Sequence, residues 1–483
     1  MSVQSPVVVT SQESTPFYRD VRITAVLAQI VFIIALIAFG WFLFRNVSTN
    51  LAANGRTFSW NFLNQTAGFE ISEGPAFSSS DSYLKAFLVG AANTLSVAGI
   101  GIVLASIIGL LVGIARLGNN WLLRELATIY VEIIRNIPLL VQLFFWYFGV
   151  ILALPDIKDR IRIPGFMGDN LAVISNRGVQ LAWPFVTSAG RAINWWMWGA
   201  LAVGLIAAWM QRRKLQSLGK LGSGFAWGAI AFVVVALLGY LATMATGSLP
   251  SNISYDLRRG DRGTLYVDGN GNQRFDNGID TPMRYVPVTL LAEDGKVLAT
   301  TVTDKDGGFQ IYDLGDAKAT SITWEKPGPV AYDSPILQGF NVRGGLPIKP
   351  EYAGLLLGLV VYTGAFISEI VRAGINAVPK GQWEASRALG LSFGEMLRMV
   401  VLPQALRVAI PPLTSQFLNL TKNSSLALAV GYPDLFSVSQ TITNQSGAEL
   451  QVIMLLMGTY LFFSLCTSGF TNWYNRRVTL RER

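Results

Sequence analysis

The stretch EASRALGLSFGEMLRMVVLP, residues 384–403, interrupts a chain that is otherwise strongly apolar. It contains helix-forming residues with four charged side chains, and it ends in Pro403. The whole chain of 483 residues is 51% hydrophobic and 14% charged, whereas a water-soluble domain has about 25% charged residues. The quoted stretch is therefore a polar helical segment of a membrane protein.

Turn and cap residues divide this segment into two short helices. Pro379 is suited to the start of the first helix, since the N–H that proline lacks would be unpaired there, and Gly390 is suited to end it in a left-handed conformation. Ser392 and Glu395 have capping-box spacing and predict the start of the second helix, which Pro403 is expected to end. The pattern predicts a capped hairpin that contacts a partner; the alternative is an interfacial hairpin without one.

Apolar runs long enough to cross a bilayer, about 20 residues, recur along the chain. They predict eight spans at 23–44, 86–115, 128–153, 193–211, 224–246, 351–373, 406–430 and 449–471. The first run is too long for a signal peptide, and we expect it to be retained.

Basic residues beside the spans predict which side of the membrane each loop occupies. Arg19 and Arg22 precede the first span, and Arg476 and Arg477 follow the last, so both termini are expected in the cytoplasm. The loop 154–192 is an exception, because it is rich in Lys and Arg and yet falls on the outer side in this order. Because the basic residues cluster at spans, nucleic acid is not an expected partner.

The segment 250–345 has short alternating apolar runs separated by turn signals, which is typical of β-hairpins. We therefore predict an all-α polytopic membrane protein with a small all-β extracytoplasmic insert. The domains are a cytoplasmic tail 1–22, helices one to five at 23–246, the insert 250–345, helix six at 351–373, a cytoplasmic loop 374–405, helices seven and eight at 406–471, and a cytoplasmic tail 472–483.

Ionisable and polar residues within spans are costly and are functional candidates. Glu132 and Arg135 are three residues apart and able to pair, as are Glu369 and Arg372. A polar run interrupts the seventh span. We predict a substrate-pathway role for one of these pairs and for the run, with structural ion pairing or helix–helix hydrogen bonding as the alternative: Glu132, Arg135, Lys422, Asn423, Ser424 and Ser425.

The insert contains DGNGNQRFDNGID, residues 268–280, with oxygen-bearing side chains at alternate positions. This arrangement suits Ca²⁺, which takes six to eight oxygen ligands. The predicted ligands are Asp268, Asn270, Asn272, Asp276 and Asp280. A solvated acidic turn without an ion is the alternative. With the TDKDGGF stretch at 303–309, the segment resembles the calcium-binding B-type repeats of bacterial surface proteins.

Histidine is absent from the sequence, which excludes His-dependent catalysis and His-ligated metal sites, and the one cysteine, Cys466, excludes a disulfide framework. A phosphate-cradling G-x4-G-K-[ST] loop is also absent, so ATP is not expected to bind to this chain.

The quoted stretch resembles the EAA loop of ATP-binding-cassette importer permeases, with Ser386 in place of a common alanine and Val400 in place of a common isoleucine. The stretches 93–117, 130–150 and 402–435 are similar to the polar or general amino-acid branch. The resemblance implies the type I importer permease fold in a bacterial inner membrane. It also implies that the loop couples to a separate ATPase through Glu384, Ala385, Ser386, Arg387, Gly390, Glu395 and Pro403.

The same resemblance implies the partners. They are a dimeric ATPase that alone binds ATP, a second homologous permease or a self-dimer, an extracytoplasmic amino-acid-binding protein, the amino-acid substrate and membrane lipid. The chain itself would be a transport subunit and not an enzyme. Two other hypotheses remain: a secondary transporter, which has no use for the hairpin, and a membrane-anchored calcium-binding surface or sensor protein, which does not need so many spans.

Overall fold

The computed structural model describes residues 21–53, 58–165, 170–217, 224–258, 261–276, 278–304, 306–310, 318–338 and 341–478. Most of the predicted N-terminal tail and the last five residues of the predicted C-terminal tail lie outside these ranges. The helices are α1 Val21–Ala53, α2 Tyr83–Ala115, α3 Trp121–Asn136, α4 Leu139–Phe144, α5 Ile193–Ser217, α6 Phe225–Thr246, α7 Pro350–Asn376, α8 Lys380–Ala388, α9 Phe393–Met396, α10 Leu402–Asn423, α11 Leu435–Ser446 and α12 Glu449–Val478.

Short strands occupy the two long segments on either side of α5 and α6. They are β1 Ile161–Pro164, β2 Asn170–Ser175, β3 Gly178–Leu181, β4 Trp183–Val186, β5 Ile253–Arg258, β6 Arg262–Val267, β7 Thr281–Pro282, β8 Pro287–Leu291, β9 Val297–Val302, β10 Gly308–Gln310, β11 Ser321–Trp324, β12 Val330–Asp333, β13 Ile336–Gln338, β14 Asn341–Arg343 and β15 Leu346–Ile348.

Among the described residues, seven helices are long and apolar enough to cross a membrane, or eight spans if one bent helix pair is counted as a span. The predicted all-α polytopic membrane protein with a β-rich insert is confirmed. The described residues form two compact units, one within 1–98, 417–428 and 433–483, and the other within 99–416 and 429–432.

The prediction of one continuous third span at 128–153 is wrong. Residues Trp121–Asn136 and Leu139–Ile151 form two helical segments that are bent by 110°. Pro138 causes the break, because proline forces the preceding residue out of the helical conformation, and Ile137 is extended with φ −102° and ψ 131°. The buried Gln142 amide donates to the carbonyl oxygens of Ile134 and Ile137 at 2.8 and 2.9 Å, so it satisfies two acceptors at the bend.

The insert contains two small antiparallel sheets around one apolar core. One sheet has the order β10-β6-β5 and the other β11-β8-β9. The alternation predicted from the sequence is clear in β8, where Val288 and Leu290 are fully buried and the residues between and beside them are half-exposed. The buried core residues are Leu265, Met283, Val286, Val288, Leu290, Phe309, Ala319 and Ile322.

The insert boundaries 250–345 are incomplete, because the loop before α5 contributes strands to the same β region. β3 pairs with β15, with Val179 opposite Ile348, and β4 pairs with β12, with Phe185 opposite Ala331. Strands that share hydrogen bonds lie on the same side of a membrane. The basic loop 154–192 and the insert therefore lie on one side, as the predicted order of eight spans requires.

The first of these units has its own core. Side chains from the loop before α2, the start of α2, and helices α11 and α12 pack together: Phe62, Ala67, Tyr83, Ala86, Phe87, Leu435, Val438, Ile442, Val452 and Phe463. α1 differs, since its membrane-length segment Thr24–Asn46 has no buried residue.

Candidate functional site

The polar hairpin, residues 380–401, has the caps that the sequence predicts. α8 ends at Ala388, and Gly390 follows with a left-handed φ of +73°. The Ser392 backbone N–H donates to the Glu395 carboxylate at 3.0 Å, and the Glu395 N–H donates to Ser392 Oγ at 3.4 Å. These reciprocal bonds form a capping box and fix the start of α9.

The prediction that Pro403 ends the second helix is wrong. α9 continues through a π-helical turn, Leu397–Val401, into α10, whose second residue is Pro403. A proline ring in a helix clashes with the carbonyl four residues earlier. That carbonyl belongs to Met399, inside the wider π turn, so the chain passes the proline as a helix instead of stopping there.

An apolar cluster lies beneath the polar hairpin and joins it to the neighbouring helices. Val401 is fully buried and Met396 is 2% exposed. The buried members are Ile375, Val378, Met396, Val401 and Ala405, and the partly buried residues packed on them are Leu117, Val371, Trp383, Leu391 and Leu397. The hairpin is therefore seated on the ends of α2, α7 and α10 by side-chain packing.

The opposite face of the polar hairpin is exposed. Glu384 and Arg387 are exposed, and Leu389 at the turn is 79% exposed. Ser386 faces inward, and its hydroxyl donates to the Gln382 carbonyl at 2.6 Å. The other predicted coupling residues are exposed, apart from Pro403, which is half-buried: Ala385, Gly390 and Glu395. The hairpin thus presents several charged side chains and the protruding side chain of Leu389.

The predicted pairing of Glu369 with Arg372 is confirmed, and a third residue joins it. The Glu369 carboxylate binds the guanidinium groups of both Arg372 and Arg116. Arg116 follows α2 and is separated from Glu369 by 253 positions, so sequence spacing alone did not connect them. We call Arg116, Glu369 and Arg372 the ion cluster.

The predicted ion pair between Glu132 and Arg135 is wrong. Neither residue belongs to an ion pair within the described part of the chain. Arg135 instead places its guanidinium 5.2 Å from the centre of the Phe366 ring, in a cation–π contact between α3 and α7. Both residues are exposed near the end of α3, where the arginine reaches the neighbouring aromatic ring. A pathway role for this pair stays a prediction.

The polar run in the seventh predicted span coincides with a change of helix type. α10 ends at Asn423, and residues Ser424–Val430 form a 3₁₀ helix. Ser424 is fully buried and its hydroxyl donates to the Thr421 carbonyl, while Ser425 donates to the Lys422 carbonyl, each at 2.8 Å. Both hydroxyls thus bond to carbonyls of the last turn of α10. The pathway role of this run stays a prediction.

Asp434 is a candidate that the sequence interpretation missed. It is fully buried, and its carboxylate caps α11 by accepting the Ser437 N–H at 2.9 Å. The backbone N–H of Leu435, the first residue of α11, donates to Thr94 Oγ1 at 3.0 Å. Burial raises the pKa of Asp434 to about 6. An acid directly before a helix is a recognisable N-cap signal, but its burial depends on how the helices pack.

We expect Asp434→Asn to change how stability depends on pH. The folded-state pKa is above the ordinary 3.8, so the folded protein retains a proton that the unfolded chain loses, and stability falls as pH rises from about 4 to about 6. Above pH 6 the resulting loss in the free energy of unfolding is about 3 kcal/mol. Asparagine keeps the cap without the charge, so thermal melting should show higher stability at pH 7.5 and a flatter pH profile. Asp294→Asn, in an exposed turn, is the control. An unchanged profile would contradict the burial effect.

Hydrogen bonds within the loop 268–280 involve all five predicted calcium ligands. Asp268 accepts backbone N–H groups, including those of Gly271 at 2.6 Å and Gln273 at 2.9 Å. The Gln273 bond is the main reason that the pKa of Asp268 is lowered. Asp280 accepts the Asp276 N–H at 2.7 Å. Asp268 and Asp280 are 8% and 6% exposed.

The side chains of Asn270 and Asn272 complete the loop, because both amides donate to Asp276 Oδ2, at 2.8 and 2.7 Å. Throughout the described ranges, no group of three or more His, Cys, Asp or Glu side chains is placed to hold a metal ion. Amide oxygens are calcium ligands as well, and here those of Asn270 and Asn272 accept the backbone N–H groups of Asn272 and Arg274. Calcium binding stays a prediction.

Residues 350–480 match the family described as "Binding-protein-dependent transport system inner membrane component". The chain is 38% identical over 469 residues to the "Putative amino-acid ABC transporter permease protein YhdX" of Escherichia coli (strain K12), covering 96% of this chain and 97% of that protein.

Two further relatives are similar over nearly their whole length. Identity to the "General L-amino acid transport system permease protein AapQ" of Rhizobium johnstonii is 36% over 465 residues, covering 96% and 94% of the two chains. Identity to the "Glutamate/glutamine/aspartate/asparagine transport system permease protein BztB" of Rhodobacter capsulatus is 35% over 481 residues, covering 96% of each.

These similarities confirm the predicted resemblance to importer permeases. The protein is a multi-pass membrane permease, a transport subunit and not an enzyme, and its family implies an ATPase partner and a binding protein. This chain belongs to the permease subunits of amino-acid ABC transporters.

Proposed function

We propose that this permease forms the translocation pathway of an ATP-driven amino-acid importer and that the polar hairpin docks on the ATPase subunit. The observation that carries the proposal is the arrangement of the hairpin. Its caps and apolar cluster hold one face against the permease, while Glu384, Arg387 and Leu389 project from the other. A protruding apolar side chain within a polar rim is the usual anatomy of a protein interface.

The hairpin is also suited to transmit force. When nucleotide binding closes the ATPase, a docked hairpin moves with it and displaces the helix ends to which it is packed. Small displacements of packed helices are a common means of switching between two states. In this importer, the two states are open to the inside and open to the outside.

We further propose that the permease resides in a bacterial inner membrane, with both termini and the polar hairpin in the cytoplasm and the β region outside. The basic residues at the helix ends and the strand pairing across α5 and α6 support this orientation. An Asp294→Cys variant should react with a membrane-impermeant thiol reagent in intact spheroplasts. If the cysteine reacted only after lysis, the β region would lie in the cytoplasm and the proposed orientation would be wrong.

The substrates that we propose are polar amino acids, and the pathway residues are those predicted in the third and seventh spans. The names of the relatives support this class, since one is a general L-amino acid permease subunit and another a glutamate, glutamine, aspartate and asparagine permease subunit. Competition for uptake of labelled glutamine by the other amino acids tests it. If none of the polar amino acids reduced the uptake of labelled glutamine, polar amino acids as a substrate class would be excluded.

The β region is the surface that we propose for the binding protein, because it is the large non-helical structure on the outer side in this orientation. Deletion of residues 260–330 should weaken the affinity of the isolated permease complex for that protein. An unchanged affinity would show that docking occurs elsewhere.

Tagged purification from native membranes in mild detergent, followed by mass spectrometry, tests the whole assembly. We expect a stoichiometric ATPase chain that carries a Walker-type phosphate loop, and either a second permease chain or a self-dimer. Recovery of this protein alone, even after cross-linking at residues 384–398, would favour a secondary transporter. An anchored calcium-binding sensor would likewise bring no ATPase.

Calcium in the 268–280 loop is the remaining proposal. Extracellular modules bind Ca²⁺ with dissociation constants of about 10⁻⁴ to 10⁻³ M, so ten times that concentration stabilises the loop by about 1.4 kcal/mol. We expect millimolar CaCl₂ to raise the melting temperature relative to EGTA, and Asp268→Asn with Asp280→Asn to abolish this difference. Asp294→Asn should retain it. An equal response to MgCl₂, or no response, would identify a solvated acidic turn.

A further inference from the structure

The ion cluster lies where α2 and α7 meet. Arg116 stands one residue beyond the end of α2 and its side chain is 12% exposed, while Glu369 and Arg372 belong to the last two turns of α7. Arg372 binds both oxygens of the Glu369 carboxylate, and Arg116 shares one of them. A single carboxylate therefore holds two arginines, one just beyond the end of α2 and one in α7.

The two helix backbones are close together directly before this cluster. A Cβ atom on Gly109 would lie 3.0 Å from the Gly364 carbonyl oxygen, and one on Gly113 would lie 2.8 Å from the Ser368 carbonyl oxygen. Gly109, Gly113 and Arg116 have the i, i+4, i+7 spacing of one helix face. The ion cluster thus closes one end of a tight α2–α7 contact.

The sequence neighbours of the ion cluster pack against the apolar cluster beneath the polar hairpin. Leu117 follows Arg116, and Val371 precedes Arg372, and both pack on the apolar cluster that contains Met396 and Val401. A force on the hairpin therefore reaches α2 through Leu117 and α7 through Val371. The ion cluster is the polar link between these two points of contact.

The charges at this position need an explanation beyond stability. Replacing a buried ion pair by apolar residues is often neutral or stabilising, whereas removing one partner leaves an uncompensated charge. Glu369 is the only carboxylate with which Arg116 forms an ion pair within the described residues, and Arg116 Nε is buried without a hydrogen-bond acceptor. An apolar contact would slide, whereas a shared carboxylate fixes the position of one helix end relative to the other.

We propose that Glu369 is a positioning residue for coupling. By holding Arg116 and Arg372, it makes the adjoining ends of α2 and α7 move as one block with the polar hairpin, so that ATPase closure drives both helices. The proposal rests on the docking function proposed above.

Coupling is measured as amino acid transported per ATP hydrolysed. The complete importer, with its ATPase and binding protein, is reconstituted in proteoliposomes, and uptake and hydrolysis are followed in the same vesicles. For Glu369→Gln we expect the ATPase to remain bound and hydrolysis to stay within about twofold, while uptake falls about tenfold or more. Glu449→Gln, the same change at an exposed residue in the first turn of α12, should leave the ratio unchanged.

A double-mutant comparison tests whether Arg116 and Glu369 affect the transport-to-hydrolysis ratio through their contact or independently of each other. Arg116→Gln should lower the ratio as Glu369→Gln does, the double variant should be no worse than either, and Glu369→Asp should restore part of it. A proportional fall of uptake and hydrolysis, or an unchanged ratio, overturns the proposal. So does failure of every variant to assemble, which would assign the cluster to folding. If the wild-type permease does not bind an ATPase at all, the proposed docking function itself fails.

Discussion

Replacing Glu384 with arginine is expected to abolish uptake while the permease remains inserted and folded. Glu384 is exposed on the outer face of α8 and makes no ion pair within the described part of the chain, so its loss leaves the fold intact. Reversing a charge in an interface places a like charge or an unpaired group against the partner. Hot-spot changes of this kind cost about 3 kcal/mol, which is about a hundredfold in affinity.

The second variant at the same surface is Leu389→Asp, which places a charge where an apolar side chain is 79% exposed. Both variants are checked by the amount of ATPase that co-purifies with the tagged permease and by uptake in proteoliposomes. Glu449→Arg is the matched control, because it makes the same charge change at an exposed residue in the first turn of α12, outside both the polar hairpin and the β region. Normal uptake by both hairpin variants would contradict docking through this face.

The second large effect is expected from Gly113→Leu. A Cβ atom at this position would lie 2.8 Å from the Ser368 carbonyl oxygen and 2.9 Å from Val371 Cβ, so α2 would have to move away from α7. Overpacking of this kind costs about 3 kcal/mol at the upper end of its usual range. The separation would also pull Arg116 from Glu369, so both the melting temperature and uptake should fall.

Gly99→Leu is the control for this variant, because it lies in the same helix and a Cβ atom there meets nothing within 4 Å. Melting is followed by size-exclusion chromatography after heating, and uptake in proteoliposomes. A Gly113→Leu protein that melts with the wild type would show that the α2–α7 approach relaxes at little cost.

Local signals in the sequence predicted local structure well. The left-handed Gly390 and the Ser392–Glu395 capping box are formed as expected, because each involves residues only a few positions apart. The error at Pro403 was also local. A proline ends a helix when its ring meets a regular turn, and the π turn at Leu397–Val401 removes that condition.

The candidate site divides in the same way. The i, i+3 spacing of Glu369 and Arg372 was sufficient to predict their pairing, whereas the same spacing in Glu132 and Arg135 was not, because Phe366 from another helix offers Arg135 a different contact. Sequence spacing does not single out Arg116, which is 253 positions from Glu369. Its role in the ion cluster depends on helices that are distant in sequence.

The sequence by itself determined the membrane class, the apolar spans, the capped hairpin and the strand-forming character of the insert, because length, hydropathy, caps and alternation act over a few residues. Only the tertiary structure decided which distant segments meet: β3 with β15, β4 with β12, and Arg116 with Glu369. These pairings depend on the packing of whole helices and on strand register. Several partners of equal chemistry exist along the chain, and only the folded backbone selects among them.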